Sequence, residues 1–349
     1  MAPRLATAGM ALVLGGTAAG CSSAPGLASA QGATRQSATR PAAVAVASVP
    51  ASALPKTAPG PRILTIGAPR GVKAKAGILV DVGTGQVLWA KDQDRPRPIA
   101  SITKVMTALL IIAAGDLNRK ITVPRSVVAY VARNGGNAAG LVPGQALTAD
   151  ELLHGMLIVS ACDAAYALAN AYGPGLPAFI AKMNAEAARL GLARTHFTSP
   201  DGLPYPTETS TYSTPAELVK LGEIAMRYPA FRSIVGLPFY AMKKGDGHGA
   251  YWWGTSNELI GHYPGVTGIK TGYTDDAGHT LLFEAIRGGR TLMGVVLGSP
   301  PTGPAAGAQD AAKVLNWGFA LAERRRVGRG VRSAGGRYSA FPIRKSRAW

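Results

Sequence analysis

Apolar and polar positions divide the chain into stretches of different kind. Ala76 to Asp81 is a short apolar run, followed by Gly83-Thr84-Gly85 and then by Gln86-Val87-Leu88-Trp89. Two apolar runs around a glycine turn predict a β-hairpin. Ser101 to Ala114 carries apolar residues at helical spacing and stops at Gly115. A second helical pattern covers Asp150 to Ala171, introduced by Thr148, and a third runs from Pro177 to Leu190, before Gly191. Thr214-Pro215-Ala216-Glu217 has the form of a capping box with Pro at the first helical position, which predicts a fourth helix. Then the pattern changes. His279 to Ile286, Arg287-Gly288-Gly289-Arg290 and Thr291 to Leu297 predict strand, turn and strand, and Gln309 to Leu321 predicts a last helix. Strands at both ends with helices between them predict an α/β (α+β) domain. Its antiparallel sheet is built from both chain ends and flanked by helices, with an inserted, mostly helical subdomain.

The ends differ from this middle. Residues 1–20 have Arg4, a short apolar region from Leu5 to Leu14 and then small residues, the pattern of an export signal too short to span a membrane stably. Ala18-Ala19-Gly20-Cys21 resembles a bacterial lipobox, which would place an acyl group on Cys21; Ala28-Ser29-Ala30 offers the alternative of cleavage and a secreted product. Residues 21–74 are rich in Ala, Pro, Ser and Thr and contain no acid. Such a composition cannot bury enough apolar surface to offset chain entropy, so it reads as a linker. The folded domain is expected over residues 75–323 and a basic tail over residues 324–349.

Composition narrows the class. Of 349 residues, 47% are hydrophobic, so a sizeable core is available. Two cysteines exclude a disulfide scaffold and any cysteine-only metal site. The net charge of +18 invites an anionic partner, but nine of those charges lie in the tail after Glu323, which has no acid. The excess therefore belongs mostly to the ends. It suggests anionic envelope polymer or lipid as a partner of the tail, and an export signal argues against nucleic acid. The five histidines, His154, His196, His248, His262 and His279, show no metal-ligand spacing. Tyr251-Trp252-Trp253 fits a peptide groove or ordinary packing equally well.

Three small clusters carry chemistry. In Ser101-Ile102-Thr103-Lys104, at the start of a helix, positions i and i+3 share a face, so the ammonium can reach the hydroxyl. A desolvated Lys near other cations releases its proton more readily and can serve as a base. In Lys270-Thr271-Gly272, after the turn-like Pro264 to Ile269, a cation and a hydroxyl suit a carboxylate, and Gly272 would let a substrate backbone approach. Ser160-Ala161-Cys162 alone reads as small residues packed in a helix. Each cluster is weak by itself.

Together, Ser-x-x-Lys, Ser-x-Cys and Lys-Thr-Gly, 59 and 110 residues apart, resemble the three-motif set of penicillin-binding proteins and serine β-lactamases. Pro98 to Thr107, Tyr212 to Leu218 and Lys270 to Gly278 further resemble blocks of the low-molecular-weight D-alanyl-D-alanine carboxypeptidases, peptidase family S11. The resemblance covers about residues 76 to 322. It implies that Ser101 is the nucleophile that forms an acyl-enzyme, Lys104 its base and Ser160 a proton relay. Lys270 and Thr271 would hold the substrate carboxylate, and the backbone N–H groups of Ser101 and Tyr273 would form an oxyanion hole. It implies an exported serine D,D-carboxypeptidase that removes the terminal D-Ala of peptidoglycan stem peptides and is acylated by β-lactams, with no metal or cofactor. The alternative is a non-catalytic or weakly active penicillin-binding or wall-binding lipoprotein. A class A β-lactamase would need a Glu-x-x-Leu-Asn run, which the sequence does not contain.

The sequence departs from the family's pattern in three places. Cys162 stands where Asn is usual, and as the one cysteine of the folded part it is expected to react with thiol reagents. No Arg stands near Gly307, before the last helix, where many relatives carry one. The smaller C-terminal β-domain of many members is not expected here, since the resemblance stops at about residue 322 and the basic tail follows.

Overall fold

A computed structural model describes residues 67–334, with side chains described through Leu321. The expected export segment, Cys21, Ala30, the linker up to residue 66 and the tail from residue 335 lie outside the described residues.

The expected hairpin is present as β1 (Ala76–Asp81) and β2 (Gln86–Lys91). Strand β3 (Arg97–Pro98) leads into a 3-10 turn, Ala100–Thr103, and helix α1 (Lys104–Ala114). The helical part continues through β4 (Lys120–Thr122), α2 (Ser126–Asn134), β5 (Ala146–Thr148), α3 (Ala149–Ile158), α4 (Cys162–Tyr172) and α5 (Leu176–Arg189). It closes with β6 (Tyr212–Ser213), α6 (Pro215–Ala225), α7 (Pro229–Val235) and a hairpin, β7 (Phe239–Met242) and β8 (Tyr251–Gly254). Then come β9 (Val266–Thr274), β10 (Gly278–Arg287), β11 (Arg290–Ser299) and α8 (Ala306–Ala334).

Five of these strands form one sheet in the order β2-β1-β11-β10-β9, antiparallel throughout. The first and last strands of the domain meet at its centre, where Ala76 faces Leu297 and Asp81 faces Leu292. All six residues of β1 are buried. Its sequence runs apolar without alternation because helices cover both faces of the sheet, so neither set of side chains meets water. Ile78, Val80, Val295 and Leu297 join the core shared with the helical subdomain. Leu79, Phe283, Leu292 and Val296 pack against Val314, Leu315 and Phe319 of α8 on the other face. Asp310 fixes α8 in place by accepting hydrogen bonds from Ser299 Oγ at 2.8 Å and Lys73 N at 3.0 Å.

The expected architecture is thus found, with local corrections. Asp150 to Ala171 is two helices, broken at Val159-Ser160-Ala161. Thr148 and Glu151 form a complete capping box at the first of them. At α6 only half of the expected box forms: Thr214 Oγ1 accepts from Glu217 N, but the Glu217 carboxylate turns to Arg194 N and Thr195 Oγ1 instead. Backbone α8 continues past Glu323 into the first part of the segment read as tail.

Candidate active site

The 3-10 turn of Ala100–Thr103 presents Ser101. Side chains at i and i+3 eclipse in such a turn, closer than in an α-helix. Lys104 Nζ accordingly donates to Ser101 Oγ at 2.8 Å. Lys104 is fully buried, and its other donors reach the Asp201 carbonyl at 2.9 Å and Cys162 Sγ at 3.5 Å. Nζ is therefore held by three acceptors on three segments. Ala100 has φ +47, a left-handed conformation that costs a non-glycine residue energy and recurs at functional sites. The turn is pressed against Gly202, where a Cβ would run into the Ala100 carbonyl and Thr103 Oγ1.

Ser160 comes to the site through the helix break. It also has a left-handed backbone, φ +66, and the chain resumes its helix at Cys162. Asn137 stabilises the break, its carbonyl accepting from Cys162 N at 2.7 Å and its Nδ2 donating to Val159 O at 3.0 Å. Buried Asp163, in the first turn of α4, accepts from Ala139 N at 2.9 Å and Leu141 N at 3.1 Å, which ties the 135–141 loop to the same place. Cys162 is buried beside Lys104. Burial pushes its thiol up to about 11, against the pull of the Lys104 charge. A raised pKa and burial both lower the thiolate fraction available to thiol reagents.

Strand β9, at the sheet edge, forms the opposite wall. Thr271 Oγ1 lies 2.8 Å from Ser256 Oγ. Lys270 is buried behind it and donates to Thr271 O at 3.0 Å. The space that Gly272 leaves is occupied by Ser101 N at 2.8 Å and Ala100 Cβ at 3.1 Å of the hypothetical Cβ. Gly272 therefore admits the protein's own nucleophile turn on its Cβ side, while it also lines the cavity. Tyr273 is exposed; its hydroxyl donates to Asp275 at 3.1 Å, and its ring lies 4.6 Å from that of His279.

Burial, and then the charge of Lys104, hold the Lys270 pKa well below the ordinary lysine value. The sign of the consequence follows from linkage. Between the depressed folded pKa and the ordinary value, the unfolded chain binds a proton that the folded chain does not, so this residue's contribution to stability rises with pH. Compared with Lys270→Met, the wild type should therefore gain stability as pH rises toward the ordinary lysine value of about 10. Urea melts at two pH values check this, and a difference that is flat or falls with pH contradicts it.

These residues meet around a cavity of about 460 Å³, lined by Ser101, Ser160, Cys162, Thr271, Gly272 and Tyr273. Lys104 and Lys270 stand behind the wall, within reach of its hydroxyls. Ser101, Lys104, Ser160, Cys162, Lys270, Thr271, Gly272 and Tyr273, the residues of the three motifs and Tyr273 beside them, are thus brought to one place. Sequence reasoning missed Asn137, Ser256, Glu258 and His279 on the lining, and Asp201 behind it. His279, which shows no metal-ligand spacing in the sequence, faces the cavity, and burial lowers its pKa. Trp253 is buried with its Nε1 donating to the Ala139 carbonyl, Trp252 is exposed, and neither lines the cavity. Gly307 and Ala308, in the first turn of α8, do line it, and the charged groups among the described lining residues are Glu208, Glu258 and Asp275.

Comparison with known proteins agrees with this arrangement. A family model described as D-alanyl-D-alanine carboxypeptidase, peptidase S11, matches residues 64–301. The D-alanyl-D-alanine carboxypeptidase of Streptomyces sp. strain K15 is 39% identical over 262 residues, 72% of this chain and 88% of that protein. DacB2 of Mycobacterium tuberculosis is 40% identical over 258 residues, 73% of this chain and 85% of the relative. The crystal structure of the Streptomyces K15 DD-transpeptidase superposes with a TM-score of 0.68 at 37% identity, covering 73% of this chain and 100% of the other.

Proposed function

The chain belongs to the D-alanyl-D-alanine carboxypeptidases of peptidase family S11, and from that membership we propose how its residues divide the work. The protein is a serine-type D,D-carboxypeptidase acting on peptidoglycan. Ser101 attacks the carbonyl between the last two D-Ala residues, and Lys104 takes its proton. The backbone N–H groups of Ser101 and Tyr273 stabilise the developing oxyanion. Ser160 passes a proton to the leaving amine, and D-Ala departs. Water then attacks the acyl-enzyme by the same route in reverse. Thr271, Ser256 and the Lys270 Nζ–H groups hold the terminal carboxylate; the positive end of α8 at Gly307 adds to the field where relatives carry an Arg. The observation that carries this reading is the 2.8 Å contact between buried Lys104 and Ser101, facing the Lys-Thr-Gly strand. Release of D-Ala from a peptide ending in D-Ala-D-Ala, with a penicilloyl mass on the protein, tests it. Absence of both refutes it and leaves the non-catalytic wall-binding alternative.

The same acyl-enzyme can be resolved by an amine instead of water. The name DD-transpeptidase carried by a relative at 37% identity favours examining this second outcome. A peptide acceptor added to the assay would then divert product from hydrolysis to a new amide.

Cys162 sets the expected rate. An Asn amide in its place offers a good donor and acceptor to a substrate peptide group, whereas a thiol is weak in both roles. One such bond is worth about 1–2 kcal/mol, so Cys162→Asn should raise peptide turnover roughly 5–30-fold. Equal rates for wild type, Cys162→Asn and Cys162→Ala would show that the side chain does not contact the substrate.

For localisation we propose export to the cell envelope, either as a lipoprotein anchored through Cys21 on the outer face of the cytoplasmic membrane or as a secreted protein cut after Ala30. The mass of the mature N-terminus separates the two. The tail after Glu323, with nine cations and no acid, is proposed to hold anionic envelope polymer or lipid. Truncation after Glu323 should weaken binding to anionic vesicles or wall material at low salt and spare D-Ala release. Binding that is unchanged, or indifferent to salt, refutes the proposal.

A further inference from the structure

A second cavity, of about 440 Å³, lies between α2, α4, α5 and the 198–205 segment. Its lining and that of the catalytic cavity share Asn134 and Leu203, so one ridge divides the two. That ridge abuts the catalytic residues directly. A Cβ on Gly136 would lie 2.9 Å from Cys162 Sγ and 3.1 Å from Leu203 Cδ2, so Gly136, Cys162 and Leu203 are mutual neighbours. The second cavity has an apolar floor, including Leu176, Pro177 and Ile180. Its aromatic side is Tyr130 and Tyr166, with ring centroids 4.5 Å apart. Arg133, exposed in the last turn of α2, is the charged residue of its lining.

We propose that this cavity is a subsite for the residues of the stem peptide upstream of the scissile bond, taking an aliphatic segment that bears a carboxylate. The inference rests on the reading of the catalytic cavity given above and deepens it. With the terminal carboxylate on Thr271 and the scissile carbonyl at the N–H groups of Ser101 and Tyr273, the upstream residues pass Cys162 and meet the ridge of Asn134 and Leu203. Beyond it, an apolar floor takes methylene groups at about 25 cal/mol per Å² of buried area. The single cation at the rim selects a negative charge over a positive one. The lining contains no acid that would oppose this selection.

The wall also connects the subsite to the chemistry. Tyr130, whose ring lines the cavity, donates its hydroxyl to Asp201 Oδ2 at 2.8 Å, and the carbonyl of Asp201 holds Lys104. A peptide packed against Tyr130 therefore presses on the residue that positions the base.

Two variants probe the site from exposed positions of α2. Arg133→Glu reverses its charge, and Ala129→Trp fills it. Each should lower kcat/KM roughly tenfold on a stem pentapeptide that carries an upstream carboxylate. Hydrolysis of an N-acylated D-Ala-D-Ala dipeptide, and acylation by penicillin, should be unchanged. An unchanged ratio of long to short substrate in both variants overturns the proposal. Calorimetric binding of the upstream tripeptide alone, which lacks D-Ala, gives an answer independent of turnover. A protein that hydrolyses neither substrate but binds this tripeptide more weakly as Arg133→Glu supports the subsite while refuting the catalytic reading. Tripeptide binding indifferent to both variants refutes the subsite whatever the activity.

Discussion

Replacing Ser101 by Ala should abolish covalent penicillin labelling and cut D-Ala release by about a thousandfold or more, with the fold retained. The loss is large because the attacking oxygen itself is removed, and no other group takes over a covalent step. The structural cost is small. Ser101 is only half-buried, and Lys104 keeps its bonds to Asp201 O and Cys162 Sγ when the hydroxyl goes. One lost charge-assisted hydrogen bond is worth about 1.5–3 kcal/mol. In a domain of this size that moves the thermal midpoint by roughly 3–12 °C, far from unfolding at room temperature. Intact mass after incubation with penicillin, beside a melting curve, reads both quantities. A penicilloyl mass on the folded variant would show that another residue is the nucleophile.

The sheet was legible in the sequence because its strands are short apolar runs punctuated by glycine turns, and the same signals place β1, β2, β10 and β11 correctly. The break between α3 and α4 was not. Ile158 to Ala165 keeps a helical apolar pattern without Gly or Pro. What interrupts it is tertiary: Asn137 takes over the hydrogen bonds of Val159 O and Cys162 N. Local propensity cannot report a partner that lies 22 residues away. Asp201 escaped notice for a similar reason, since it acts on Lys104 through its carbonyl, and a carbonyl has no sequence signature. The Ser-Pro-Asp-Gly segment around it reads as an ordinary turn. Gly272 marks a close approach in the sequence, and in the structure the nucleophile turn lies on its Cβ side while it also lines the cavity. Glycine signals close approach, but the sequence does not say whether ligand or protein approaches.

The second large effect concerns Lys104, where chemistry and packing have to be separated. Lys104→Ala removes the base and also empties a fully buried site, which by itself costs about 2–4 kcal/mol. Lys104→Met fills most of that volume and removes only the amine. It should therefore fold while acylating about 10²–10⁴-fold more slowly, the usual contribution of a positioned base. Its equilibrium binding of unreacted peptide should change little, because the carboxylate is held on the opposite wall by Thr271, Ser256 and Lys270. A kcat that collapses with KM nearly constant is the expected signature. The competing amine is Lys270, whose depressed pKa would suit a base. It makes its hydrogen bonds to Thr271, however, whereas Lys104 is bonded to Ser101 Oγ at 2.8 Å. Geometry therefore favours Lys104, and burst-phase acylation of Lys104→Met decides between them. Near wild-type acylation in this variant would transfer the role to Lys270 and leave Lys104 as a residue that only positions Ser101 against the turn.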